Sequence, residues 1–215
     1  MKKIVFRPNP APPLVPRSIR YAGSLLSSRL FVLGLLLAGL LVIARPLYHM
    51  GIRSWQQWRA GEIWKSADRN PTMLVSGDPV GWIRSAKADL DTLVLLDGTL
   101  ANLRRFPCWS IAGALPTQRG LKIIQGHRDA HFAGLGNLSP GDLVEMQNLD
   151  HEQAYRVSQI EIVPAEVLAD HLMAAPDREA VVLVTCYPLR YAGPAPDRLL
   201  VWLTPQLPAP ALVSL

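Results

Sequence analysis

The sequence predicts an all-β fold, a barrel or sandwich of about six to eight short strands, preceded by one N-terminal transmembrane helix. Two observations lead to this prediction. From about residue 75, short runs rich in Val, Ile and Leu are separated by Gly, Pro, Asp and Asn, which is typical of strands joined by turns. Near the start, one long apolar run follows a strongly basic segment.

The apolar run is Leu30–Ala44, 15 residues without a charge between Arg29 and Arg45. A spanning helix needs about 20 mostly apolar residues, and residues 29–50 reach that length if the arginine heads extend to the interfaces. The long Pro-rich segment before the run and the absence of a clear A-x-A box favour an uncleaved signal-anchor over a cleaved signal peptide.

The charge distribution gives the expected orientation. Residues 1–45 contain seven Lys and Arg and no Asp or Glu, and six of the seven precede the apolar run. The positive-inside rule therefore assigns residues 1–28, a basic Pro-rich tail, to the cytoplasm. The chain beyond about residue 50 is then expected outside the cytoplasmic membrane. Residues 46–215 hold 15 basic and 17 acidic side chains, a net of −2, so no nucleic-acid partner is predicted.

After the anchor, residues 51–74 are predicted to form a helical linker with Trp55, Trp58 and Trp64, which are expected to pack or to lie near the membrane interface. Residues 75–205 supply the strands, which we expect to pair antiparallel. The segment "AYRVSQIEIV" cannot direct all its apolar residues to one face, so a bulge or a two-sided strand is expected. "AEVLADHLM" is predicted to form a short helix, and residues 206–215 a Pro-rich tail.

Three residues at predicted strand ends form a chemical set. Cys186 ends the apolar run in "VVLVTCYPLR", His127 follows the run "LKIIQG", and Arg198 begins "RLLVWLT". A thiolate can attack a carbonyl, an imidazolium can protonate a leaving amine, and a guanidinium can stabilise an oxyanion. Each residue alone has an ordinary structural explanation, and Cys186 with Cys108 would also suit a disulfide in an oxidising compartment.

His131 lies four residues after His127, a spacing that suits a metal pair on a helix. The pair follows a strand, however, and no cluster of acidic residues or cysteines completes a ligand set. No metal and no cofactor are predicted.

Two strings in the right order resemble the sortases. "GHRDAHFAGLGNLSPGD" is followed, 59 residues after His127, by "LVTCYP" and then by "APDRLLV". The resemblance is greatest to the class D-like sortases and to the type found in Gram-negative proteobacteria, whose strings are GHRDTHF, TLxTCYPF and an arginine about a dozen residues later. Its departures from those strings include Val182 and Leu189, which stand where the strings have Thr and Phe.

The resemblance implies a sortase-like closed β-barrel of about eight strands with short helices over residues 75–205. It implies that Cys186, His127 and Arg198 are the catalytic residues of a cysteine transpeptidase. Such an enzyme cleaves the C-terminal sorting signal of a partner protein through a thioacyl intermediate and transfers it to an amine acceptor of the cell envelope. Thr185, Tyr187 and His131, which neighbour the catalytic residues in sequence, are expected to contribute to substrate binding.

Two other functions fit the same residues. A cysteine protease would use the same thiol chemistry with water as the acceptor. A periplasmic interaction barrel without catalysis would have a Cys108–Cys186 disulfide. If the chain is a transpeptidase, Arg190 is an alternative to Arg198 as the oxyanion donor.

Overall fold

The computed structural model describes residues 29–68, 71–175 and 179–206. The predicted basic tail over residues 1–28 lies outside these ranges, as does the Pro-rich tail except Gln206. The chain divides into two compact units, Met1–Ser54 and Trp55–Leu215.

The first helix, α1, covers Arg29–Lys65. It contains the predicted anchor over residues 29–50 and most of the predicted helical linker over residues 51–74. Between Phe31 and Ile43, ten large apolar side chains of α1 are exposed. Within the described ranges, no helix combines the length and apolar character needed to cross a membrane, so the predicted transmembrane helix is not confirmed.

The second unit contains a closed barrel of eight strands, as the resemblance implied. The strands are β1 Pro79–Ser85, β2 Leu90–Leu96, β3 Cys108–Trp109, β4 Lys122–Gln125, β5 Leu143–Asn148, β6 Glu152–Pro164, β7 Val181–Tyr187 and β8 Asp197–Pro205. They follow one another around the barrel in the order β1-β2-β3-β4-β7-β8-β6-β5, and β5 pairs with β1 to close it. Two short helices accompany the strands: α2, Leu100–Leu103, and α3, Leu168–Met173.

Two strand pairings are parallel, and for these the antiparallel prediction is wrong. The strand β3 pairs parallel with β2, and β4 pairs parallel with β7. Long connections make this possible, because parallel neighbours need a crossover rather than a tight turn. The chain between Gln125 and Val181 supplies β5, β6 and α3 before it returns beside β4.

The barrel interior is a single apolar cluster to which all eight strands contribute. The segment that follows β4 also enters it, since Phe132 and Leu135 are fully buried there. This entry requires two glycines. A Cβ on Gly126 would approach the ring of Phe132 to 2.8 Å, and one on Gly134 would lie 1.8 Å from the carbonyl oxygen of Ala88.

Two further clusters cover the outside of the barrel. Residues of the last turns of α1, Ala60 and Trp64, pack on β1, β2 and β3 in one cluster, which we call the α1 cluster. Leu172 of α3 packs on β4, β6, β7 and β8 in the other, which we call the α3 cluster. The barrel surface that neither cluster covers is where side chains can be exposed to a ligand.

Two local predictions are confirmed. The expected bulge in β6 lies between Val157 and Gln159, where the pairing with β8 shifts. It allows Val157 and Ile160 both to pack on the interior cluster. The short helix expected over "AEVLADHLM" is present as a 3-10 turn, Ala165–Val167, followed directly by α3.

Candidate active site

The parallel pairing of β4 with β7 sets the position of His127. Gln125 is the partner of Val184 in this ladder. Beyond the strand end the contact continues, because the Gly126 amide donates to the Val184 carbonyl at 3.1 Å and the Thr185 hydroxyl donates to the Gly126 carbonyl at 2.8 Å. His127 is therefore held at the level of Cys186, one strand away.

Cys186 and Arg198 are direct partners across the antiparallel pair β7–β8. Side chains alternate between the two faces of a strand. Leu183 and Leu199 point into the barrel interior, whereas Val184 and Leu200 belong to the α3 cluster outside it. Cys186 and Arg198 therefore share the outer face, with Cα atoms about 5 Å apart in such a pair. Both side chains are half-buried, as is His127.

The guanidinium of Arg198 is oriented by its own loop. Its Nη1 donates to the carbonyl oxygens of Ala195 at 3.1 Å and of Asp197 at 2.8 Å. An arginine has five N–H donors. Both of these hydrogen bonds leave from Nη1, so within the described part of the chain the Nε and Nη2 donors carry no hydrogen bond.

Arg128, which the sequence analysis did not single out, connects the two halves of the site. Its guanidinium donates to the carbonyl oxygens of Pro188, Tyr191 and Gly193 at 2.9–3.2 Å. It also lies 5.6 Å from the centre of the Tyr191 ring. These carbonyls belong to the loop between Cys186 and Arg198, so Arg128 joins that loop to the segment that carries His127. No local pattern in the sequence indicates a contact between residues about 60 positions apart.

The three predicted substrate-binding residues have different environments. Thr185 is 2% exposed, and its hydroxyl is engaged by Gly126, so it aligns the strand ends from a buried position. Tyr187 is half-buried against the interior cluster. His131 donates from Nε2 to the Arg105 carbonyl at 3.0 Å and stacks on Phe106 with ring centres 5.8 Å apart. His131 therefore fixes the segment before β3 to the segment after β4.

Cys108 does not form a disulfide with Cys186, because both thiols are free. Cys108 pairs with Gln125, which pairs with Val184, so two strand spacings, roughly 10 Å, separate Cys108 from β7. A disulfide requires Cα atoms less than about 7 Å apart. The alternative of a barrel with a Cys108–Cys186 disulfide is therefore wrong.

The two thiols also differ in their surroundings. Cys108 is fully buried in the α1 cluster, and its Sγ lies 3.4 Å from the Phe106 carbonyl oxygen. Burial, with a smaller contribution from the charge of Asp97, raises the pKa of the Cys108 thiol to about 12. Cys108 therefore stays a neutral thiol at physiological pH, and the half-buried Cys186 is the cysteine with access to a substrate.

Comparison with known proteins identifies the family. A family model for the sortase domain matches residues 83–206, more than half of the chain. Sortase D of Bacillus subtilis (strain 168) is 30% identical over 91 residues, which are 40% of this chain and 43% of that relative. The chain thus matches less than half the length of this curated relative.

Two solved structures share the fold. The Sortase D5 transpeptidase of Clostridium perfringens superimposes with a TM-score of 0.54 at 21% identity, over 62% of this chain and 82% of that one. A C. perfringens sortase C with the C-terminal cell wall sorting motif gives 0.54 at 23% identity, over 70% and 85%. With its eight-stranded closed barrel and its matched domain, this chain belongs to the sortase family of cysteine transpeptidases.

Proposed function

We propose that this sortase cleaves the C-terminal sorting signal of a partner protein and joins the new carboxyl end to an amine acceptor of the cell envelope. The observation that carries the proposal is the strand register, which brings His127, Cys186 and Arg198 to neighbouring strand ends. The structure of C. perfringens sortase C with the C-terminal cell wall sorting motif supports the same substrate class here.

The first half of the reaction forms a thioester. The Cys186 thiolate attacks the carbonyl carbon of the scissile amide, and the new S–C bond turns the carbonyl into an oxyanion. Arg198, the direct cross-strand partner of Cys186, donates to that oxyanion. His127, as an imidazolium, gives its proton to the leaving nitrogen, the C–N bond breaks, and the amine product departs.

The second half reverses the proton transfer. The acceptor amine attacks the thioester carbon and loses a proton to His127, and the S–C bond breaks to restore the thiolate. Water in place of the amine would make the same site a protease. The acceptor therefore distinguishes the two activities, and the product has to be identified to separate them.

We also propose that the catalytic domain lies in the periplasm, attached to the inner membrane through a single N-terminal segment. The support is the excess of seven basic over no acidic residues in positions 1–45 and the ten exposed apolar side chains between Phe31 and Ile43. An exposed apolar surface of this size favours contact with lipid.

Localisation can be tested with the full chain expressed in a Gram-negative host. We expect it to stay with the inner-membrane fraction after a carbonate wash, and we expect protease to digest the domain in spheroplasts but not in intact cells. A chain without residues 1–50 should leave the membrane fraction. Recovery of the full chain in the soluble cytoplasmic fraction would contradict the proposal.

Replacement of Cys186 is the direct test of the thioacyl mechanism. With a pooled library of sorting-signal peptides and hydroxylamine as the amine acceptor, mass spectrometry should detect peptide hydroxamates with the wild type. Cys186→Ala should form none, because no thioester can form. Cys108→Ala is the matched control and should keep turnover, since its thiol is buried away from the site.

The same experiment separates the alternatives. Hydrolysed peptide without hydroxamate would favour the protease. Turnover by Cys186→Ala would exclude the thioacyl mechanism. In the wild type at pH 9, iodoacetamide should label the half-buried Cys186 far faster than Cys108, because a pKa raised to about 12 leaves only about a thousandth of the buried Cys108 as thiolate at that pH.

Arg198→Ala should reduce turnover by about 10²–10³-fold, as expected for the loss of an oxyanion donor. The rate of Cys186 alkylation should change much less, because alkylation forms no oxyanion. Arg190→Ala is the control: Arg190 is exposed in the loop after β7, and its replacement should leave turnover nearly unchanged. If Arg190→Ala shows the large loss and Arg198→Ala does not, the oxyanion donor is Arg190.

Arg128→Ala should lower kcat by about 10²-fold, because a shift of about 1 Å in a catalytic group has this order of effect. Arg128→Lys should restore little of the loss, since one ammonium cannot replace a guanidinium that reaches three carbonyls. Circular dichroism and thermal melting should establish that each variant is folded. An unchanged kcat for folded Arg128→Ala would show that the contact does not position the site.

A further inference from the structure

A surface pocket of about 190 Å³ lies within the second unit, and none of His127, Cys186 and Arg198 lines it. One wall is the C-terminal part of α1, and the other is the segment that leads into β3. Three arginines and three apolar or aromatic side chains line it: Trp55, Arg59, Ile63, Arg104, Arg105 and Phe106.

The helical wall presents one continuous face. Trp55, Arg59 and Ile63 follow each other at intervals of four residues, which places them on the same side of α1. The guanidinium of Arg59 lies 4.8 Å from the centre of the Trp55 ring, a cation–π contact that holds the cation at the pocket. Trp55 itself remains 54% exposed, so its ring is available to a ligand.

The opposite wall is held in place by contacts that do not involve the guanidinium groups of its arginines. Phe106 is 7% exposed and packs in the α1 cluster, and His131 stacks on its ring. The Arg105 carbonyl accepts from His131, whereas the Arg104 and Arg105 side chains are exposed. The backbone of this wall is thus fixed, while the side chains of the two arginines that line the pocket are exposed to solvent.

The pocket has an unbalanced charge. No carboxylate lines it, and the ion pairs found among the described residues do not involve Arg59, Arg104 or Arg105. Three guanidinium groups at one pocket repel each other, and an anion between them would remove that repulsion. By contrast, Arg84 and Arg119 lie beside carboxylates.

The chemistry of the lining selects the type of anion. One arginine satisfies a planar carboxylate with two parallel hydrogen bonds, whereas the oxygens of a tetrahedral phosphate point in several directions, so that more than one guanidinium can donate to it. The Trp55 ring and Ile63 add an apolar surface that could contact the organic group attached to the phosphate. We propose that this pocket binds a phosphate group, carried either by the headgroup of an anionic lipid or by a soluble phosphate ester.

The test uses the full chain in a nonionic detergent and isothermal titration calorimetry. The probes are inorganic phosphate, glycerol 3-phosphate and dihexanoyl phosphatidylglycerol, with dihexanoylglycerol as the lipid that lacks phosphate. We expect saturable binding of at least one phosphate probe, no binding of dihexanoylglycerol, and weaker binding as salt is raised. Arg104→Gln and Arg105→Gln, alone and with Arg59→Gln, should weaken binding at least tenfold.

The matched control is Arg119→Gln, which removes an exposed arginine outside the pocket that pairs with Glu179. It should bind as the wild type does. Phosphatidylglycerol binding more than tenfold tighter than glycerol 3-phosphate would identify a lipid headgroup as the source, and equal affinities would identify a soluble ester. Absence of saturable binding by all three phosphate probes, or equal affinity in the pocket variants and the wild type, would overturn the proposal.

Discussion

The parallel contact between β4 and β7 determines the geometry of the whole site. No turn sets its register, because the connection between these strands contains β5, β6 and α3. The register is set by burial instead: Ile124 and Leu183 pair inside the barrel, and Ile123 and Val182 pair under α3. A slip of one residue would exchange the two faces and expose apolar side chains on both. Hydrophobic burial in the barrel is therefore what brings His127 to the level of Cys186.

Beyond the strand ends, hydrogen bonds from side chains hold the two segments together in place of backbone hydrogen bonds. The Thr185 hydroxyl donates a hydrogen bond to the Gly126 carbonyl, which lies just past the end of β4. Arg128 then gathers three carbonyls of the following loop, which has no strand partner of its own. Both contacts are hydrogen bonds to backbone oxygens. They depend on residue type at one end only, so the loop is held through its backbone and not through its own side chains.

The sequence predicted where the strands lie better than which strands pair with each other. The strands were predictable because each carries its own apolar run, and the β6 bulge because one run could not direct its apolar residues to one face. Parallel pairing was not predictable, because the partner of β4 lies more than 50 residues away. The two-residue strand β3 is too short to show alternation. The candidate catalytic residues were selected by their chemistry and by the family resemblance, whereas the contacts of Arg128 and the position of Cys108 depend on tertiary packing.

The outer face of the sheet explains why one cysteine is available and the other is not. Cys108, Gln125 and Val184 lie side by side on this face, across β3, β4 and β7. Cys108 belongs to the α1 cluster and Val184 to the α3 cluster, so the half-buried Gln125 lies at the boundary between the two covered regions. His127 and Cys186 are two residues further along the same strands, past the edge of this cover. The helices thus bury apolar sheet surface on both sides, and the site forms where that burial ends, because a nucleophile needs both rigid strands beneath it and access for a substrate.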